Sequence, residues 1–187
     1  MKVRVSLVAV IAMLAVLASS AFAQEQDRRD VRLAEDVGRS ITSYARLTIF
    51  DDINATVENG MVALTGKVTM PFKKDDIEKR ISKIDGVRGM RSDISVLPVS
   101  QFDDELRYRV SRAIYGNPSF WNYAAMANPP IRVVVNRGRV TLEGVVQSNV
   151  ERMLARSLAS GFGEFELKND LKTDAEVRES LEAAKPN

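Results

Sequence analysis

The sequence predicts an α+β protein built from two tandem α-β-β-α-β units, each a small mixed three-stranded sheet with two helices on one face. Two observations carry this. Residues Glu58 to Val68 (ENGMVALTGKV) return 78 positions later as Asn136 to Val146 (NRGRVTLEGVV), with Gly, Val, Leu, Gly and Val coinciding. Around each copy, apolar residues alternate as in half-buried strands and, on either side, recur at helical spacing.

Residues 1–23 read as a secretory signal peptide: Lys2 and Arg4 form a positive start, Leu7 to Leu17 is apolar, and Ala21-Phe22-Ala23 has the small-x-small form of a cleavage site. The apolar run from Val5 to Leu17 is shorter than the roughly 20 residues that span a bilayer, so the expectation is export and release. The chain has no Cys, which leaves no acylation site and no disulfide, so packing alone must stabilise it. The leader holds two of the 27 basic residues and none of the 25 acidic ones, leaving a neutral mature chain of 25 against 25. A nucleic-acid partner, which needs a dense basic footprint, is not expected.

The first unit spans residues 31–97. Val31, Ala34, Val37 and Ile41 paint one helical stripe. Ile53-x-Ala55-x-Val57 alternates as a strand, Asn59-Gly60 turns the chain, and Val62 and Leu64 return. Gly60 serves the turn; Gly66, late in the returning strand, points to a bulge or a close backbone approach. A helix over Lys74 to Ile84 follows, with Ile77, Ile81 and Ile84 aligned, then a strand over Arg91 to Val96, and Leu97-Pro98 closes the unit.

The second unit, residues 101–174, repeats this order. Leu106, Val110, Ala113 and Ile114 mark its first helix, and Ile131-x-Val133-x-Val135, Arg137-Gly138 and Gly144 mark its hairpin. Val150, Met153, Leu154 and Leu158 mark a second helix over Asn149 to Ser160, and Lys168 to Thr173 is the closing strand. Between helix and hairpin the register of the repeat grows from 73 to 78, so about five residues are added near Pro118 to Pro130. Beyond it, the tail of residues 175–187 continues as a weak helix through Val177 and Leu181.

This duplicated pattern, carried by Gly60, Val62, Leu64, Gly66 and Val68 and again by Gly138, Val140, Leu142, Gly144 and Val146, resembles the BON domain family. The resemblance implies a periplasmic, non-catalytic protein of the cell envelope that contacts anionic phospholipid and supports envelope integrity or stress tolerance. Lacking the lipoprotein cysteine, the chain is similar to the soluble dual-BON members. A protein-interaction or chaperone-like module that meets other envelope proteins is the alternative.

The inserted segment, which holds Phe120, the single Trp121, Tyr123 and Met126, is the candidate site, because amphipathic rings favour the membrane-water boundary. Arg107, Arg109 and Arg112 on the preceding helix would hold anionic headgroups while the rings insert. The other reading is that the rings cover the second sheet.

With no His and no Cys, the usual nucleophile-base pairs and zinc sites are excluded. No metal, cofactor or catalytic residue is expected. The acidic doublets Asp75-Asp76 and Asp103-Asp104 fall near helix starts, where capping explains them. A convergent buried polar pocket around Asp51 or Asp52 would argue for an enzyme, and none is expected.

Overall fold

The computed structural model describes the backbone of residues 7–183 and the side chains of residues 25–183. The signal peptide expected over residues 1–23 lies outside the residues whose side chains are described. Helix α1 (Leu7–Thr42) leads into strands β1 (Asp52–Glu58) and β2 (Met61–Val68), helix α2 (Pro71–Ile81) and strand β3 (Gly89–Val96). The second unit runs through α3 (Gln101–Tyr115), a 3₁₀ turn (Pro118–Phe120), α4 (Trp121–Ala124), β4 (Ile131–Asn136), β5 (Arg139–Val146), α5 (Asn149–Leu158), β6 (Glu166–Asn169), β7 (Lys172–Thr173) and α6 (Asp174–Ala183).

Both sheets are mixed: β1 pairs antiparallel and β3 parallel with β2, while β4 pairs antiparallel and β6 and β7 parallel with β5. The second sheet thus has four strands where three were expected, because the closing strand breaks at Asp170-Leu171 and Leu171 turns into the core, 2% exposed. The hairpin turns are equivalent. Asn59 and Gly60 have φ of 52° and 76°, and Arg137 and Gly138 have 52° and 73°, the pair of left-handed residues that matches strand twist.

One core fills each unit. In the first, Leu33, Val37 and Ile41 of α1 meet Val62, Leu64, Val68, Ile77, Ile81 and Ile94. In the second, Leu106, Val110 and Ile114 of α3 take the same places against β4 and β5. The core stripe of α1 therefore runs through Leu33, while Val31 and Ala34, expected in it, are exposed. On α5, Leu154 and Leu158 pack, whereas Val150 and Met153 face outward. Helix α2 begins at Pro71, so Asp75 and Asp76 lie past its first turn; Asp76 instead accepts a hydrogen bond from the Tyr44 hydroxyl.

The two units pack together. The segment after α1 reaches across: the Ile49 carbonyl accepts from the Val133 N–H at 2.7 Å, Asn128 donates to the Thr42 carbonyl at 2.6 Å, and Phe50 meets Tyr108 edge-on at 5.3 Å. Val134, on the outer face of its sheet, is 2% exposed and shares a cleft with Lys67 of the first unit.

Candidate functional site

The expected site is assembled by α3, the 3₁₀ turn and α4. Ser100 caps α3 by accepting from the Asp103 N–H at 3.2 Å. The Asp103 carboxylate does more than serve the helix start. It accepts from the N–H groups of Arg137 and Gly138, both at 2.7 Å, and so holds the second hairpin turn against α3. Asp30 does the same for Asn59 and Gly60 in the first unit. A carboxylate also offsets the cost of a positive φ at Arg137 by binding its N–H.

The six expected binding residues separate into two groups. Arg107, Phe120 and Tyr123 are corrected by burial. Arg107 is 4% exposed, pairs with Asp104 and donates to the Val135 carbonyl at 2.7 Å. Phe120 is fully buried in the second core and stacks on Tyr123 at 6.0 Å. The Tyr123 hydroxyl donates to Glu151 at 2.7 Å and accepts from the Gln147 N–H; burial, with that carboxylate, raises its pKa to about 12. Both rings are large and apolar, and the Tyr123 hydroxyl finds local partners in Glu151 and Gln147, so they fill the space the insertion opens.

Arg109, Arg112 and Trp121 are exposed, Trp121 by 62%. Arg109 is paired with Glu105 one turn back, and Arg112 makes no ion pair among the described residues. Tyr108, which sequence reasoning missed, is 64% exposed on the same helix. Tyr108, Arg109 and Arg112, together with Glu105, Ala113 and Phe162, line an open groove of about 490 Å³, of which Trp121 is not part. Met126, 47% exposed, follows α4. Two exposed guanidinium groups beside a phenol on α3, with a separate exposed indole at the start of α4, supply both charge and amphipathic rings.

The structural glycines are tightly constrained. A Cβ on Gly66 would lie 2.1 Å from the Asp52 carbonyl, and one on Gly144 would lie 1.9 Å from the Pro130 carbonyl. Gly60 and Gly138 serve the turns; a Cβ on Gly138 would strike the ring of Phe165, 2.6 Å away.

A convergent polar cluster surrounds Asp51. Asp51 is 2% exposed; one carboxylate oxygen accepts from the N–H and hydroxyl of Thr69 at 2.7 and 2.8 Å. The other accepts from the N–H and hydroxyl of Thr48, both at 2.8 Å, and from Lys73 at 2.6 Å. Burial pushes the carboxyl up, but Lys73 and the two N–H groups outweigh it and hold Asp51 below the usual carboxylate range. Every oxygen lone pair is occupied by the protein, so the cluster ties β1, β2 and α2 together and presents no reactive group. In the second unit the Tyr123-Glu151 pair occupies the equivalent corner, Glu151 standing 78 residues after Lys73. Among the described residues no group of His, Cys, Asp or Glu side chains is placed to hold a metal ion.

The BON domain model matches the chain twice, over residues 29–98 and 103–164. The chain belongs to the BON domain family and carries two copies of its domain. No curated protein matches it. Among solved structures it is similar to two of CdsD, a structural protein of the type III secretion system of Chlamydia trachomatis. The first, of the CdsD C-terminal domain, is 9% identical with a TM-score of 0.28 and covers 66% of this chain and 57% of that one. The second is 12% identical with a TM-score of 0.27 and covers 81% of this chain and all of that one.

Proposed function

We propose that this is a non-catalytic binding protein of the bacterial envelope, acting in the periplasm, that contacts anionic phospholipid surfaces through the second unit and so supports envelope integrity or stress tolerance. BON domain proteins are envelope-associated and generally non-catalytic, which supports the coarse reading. The observation that carries the finer one is the outward face of α3 and α4, where Tyr108, Arg109, Arg112 and Trp121 are all exposed. Guanidinium groups close to an anionic surface contribute about 1 kcal/mol each, and an inserted indole adds apolar burial.

Co-sedimentation with vesicles of neutral lipid, or of neutral lipid with added anionic lipid, tests the reading. The protein pellets with the anionic vesicles only, and both Trp121→Ala and Arg112→Ala reduce pelleting by roughly fivefold or more. Equal pelleting of all three proteins, or none with either vesicle, contradicts the assignment. A second reading, a protein-interaction module, is favoured by the exposed stacked pair Phe102 and Phe165, whose centroids lie 6.0 Å apart beside the second hairpin turn. Suppressed aggregation of an unfolded client without lipid binding would select it.

A further inference from the structure

The ends of α1 and α2 meet at a cleft of about 250 Å³ that gathers charge of one sign. Lys79, Arg80 and Lys83, at the end of α2 and just after it, line it together with Tyr44, which follows α1, and Asp76. Tyr44 is buried. Its hydroxyl donates to Asp76, and Arg46 pairs with the same carboxylate at 3.7 Å, so the one acidic side chain lining the cleft is already engaged.

Arg80 is held in place. Its Nη2 donates to the Ser43 hydroxyl at 3.1 Å and to the Ser40 carbonyl at 3.4 Å, and its guanidinium lies over the Tyr44 ring, 5.6 Å from the centroid. The other edge of the guanidinium, Nε and Nη1, makes no hydrogen bond among the described residues. Lys79 and Lys83 are exposed and, among the described residues, have neither an ion pair nor a side-chain hydrogen bond.

Cations near helix ends are ordinarily explained by the dipole, each C-terminal end presenting about half a negative charge. Here that accounts for too little. Asp76 is matched by Arg46, and the two helix ends set about one negative charge against Lys79, Arg80 and Lys83, which leaves roughly two positive charges unmatched. The fold does not require these cations either. In the second unit the positions 78 residues on from Asp76, Lys79, Arg80 and Lys83 are Leu154, Ser157, Leu158 and Gly161, and Leu154 and Leu158 pack against the core. The same helix thus folds with an uncharged corner.

We propose that this cleft of the first unit binds a doubly charged phosphate group, the open edge of Arg80 meeting two of its oxygens and the ammonium groups of Lys79 and Lys83 closing on the others. A phosphate monoester carries close to two negative charges, which matches the charge left over, whereas a single carboxylate would engage the guanidinium and leave a cation unmatched. The group is either a free phosphate or the headgroup of a lipid, and the two are separated by experiment.

In amide NMR titration of the whole protein, inorganic phosphate produces saturable shifts confined to residues 40–46 and 76–83, with half-saturation on the order of 1 mM, and chloride at equal ionic strength does not. Lys79→Gln with Lys83→Gln, both at exposed positions, weakens the response by roughly tenfold or more while the core resonances stay in place. Asp76→Asn, which keeps an acceptor for Tyr44 and removes the opposing charge, strengthens it. Vesicles of neutral lipid doped with a lipid bearing a phosphate monoester headgroup form the second arm, applied to protein carrying Arg112→Ala and Trp121→Ala so that the contact proposed for the second unit is absent. Pelleting that Lys79→Gln with Lys83→Gln abolishes identifies a headgroup; saturable shifts with inorganic phosphate and no pelleting identify a soluble phosphate. No response to either probe, chloride shifts of the same size, or responses unchanged by Lys79→Gln with Lys83→Gln overturn the proposal.

Discussion

Gly66 and Gly144 show what a single residue decides. Their φ values of 131° and 118° lie where side chains rarely go, and each sits against a carbonyl at the start of the neighbouring strand. Gly66→Ala or Gly144→Ala must push that strand away, and a loss of about 2 kcal/mol or more is expected in urea unfolding. Asp51 is the residue-scale counterpart in charge. Its carboxyl is held below the usual range, so the stability it contributes is fully present above the unfolded pKa and is lost as pH falls through the lower folded value. Urea unfolding followed on acidification shows this loss in the wild type. In Lys73→Met, stability at neutral pH drops by about 3 kcal/mol, because the buried carboxylate keeps its N–H bonds but loses its cation, and the acid-dependent loss shrinks. The glycines were legible in the sequence because their spacing repeats. The Asp51 cluster was not, because Thr48, Thr69 and Lys73 come from separate elements and no local pattern joins them.

At the scale of elements, α3 performs two jobs that its arginines share unequally. Arg107 faces β4 and closes its edge, while Arg109 and Arg112 face solvent. Arg107→Ala is therefore expected to destabilise the fold by about 2 kcal/mol, leaving the carbonyl of Val135 unpaired, with little change in vesicle binding at a temperature where the variant is folded. Arg112→Ala should leave Tm unchanged and weaken vesicle binding; thermal melts set beside co-sedimentation separate the two. Helical period distinguishes core from surface along α3, yet it placed three arginines together because a long side chain on the flank of a helix can turn either way. Phe120 and Tyr123 were misread for a related reason. A ring cluster in an insertion satisfies a membrane and a core equally well until the gap it fills is seen, and here Glu151 and Gln147 supply the partners for the Tyr123 hydroxyl. The division of the last strand into β6 and β7 follows from Leu171 turning inward, a single apolar residue that the strand pattern absorbed without notice.

Across the whole molecule, the repeat foretold the two units, their mixed sheets and the order of their elements, because one apolar pattern written twice constrains itself. How the copies meet was beyond it. The contact depends on Ile49 and Phe50, loop residues whose reach to Val133 and Tyr108 has no counterpart in the other copy. Docking and α3 together fix which edge groups remain free: the β4 edge is closed by Ile49 of the first unit with Arg107 and Tyr115 of α3, while no hydrogen bond among the described residues reaches the outward groups of β1. Arg109 and Arg112 of α3 and Trp121 of α4 stay exposed. The central claim is that these residues meet anionic membrane. Trp121, the single tryptophan, reports on it directly: fluorescence with vesicles carrying brominated acyl chains should be quenched and blue-shifted when anionic lipid is present and unchanged when it is absent. An emission that stays that of a water-exposed indole on vesicles the protein demonstrably coats would contradict the account.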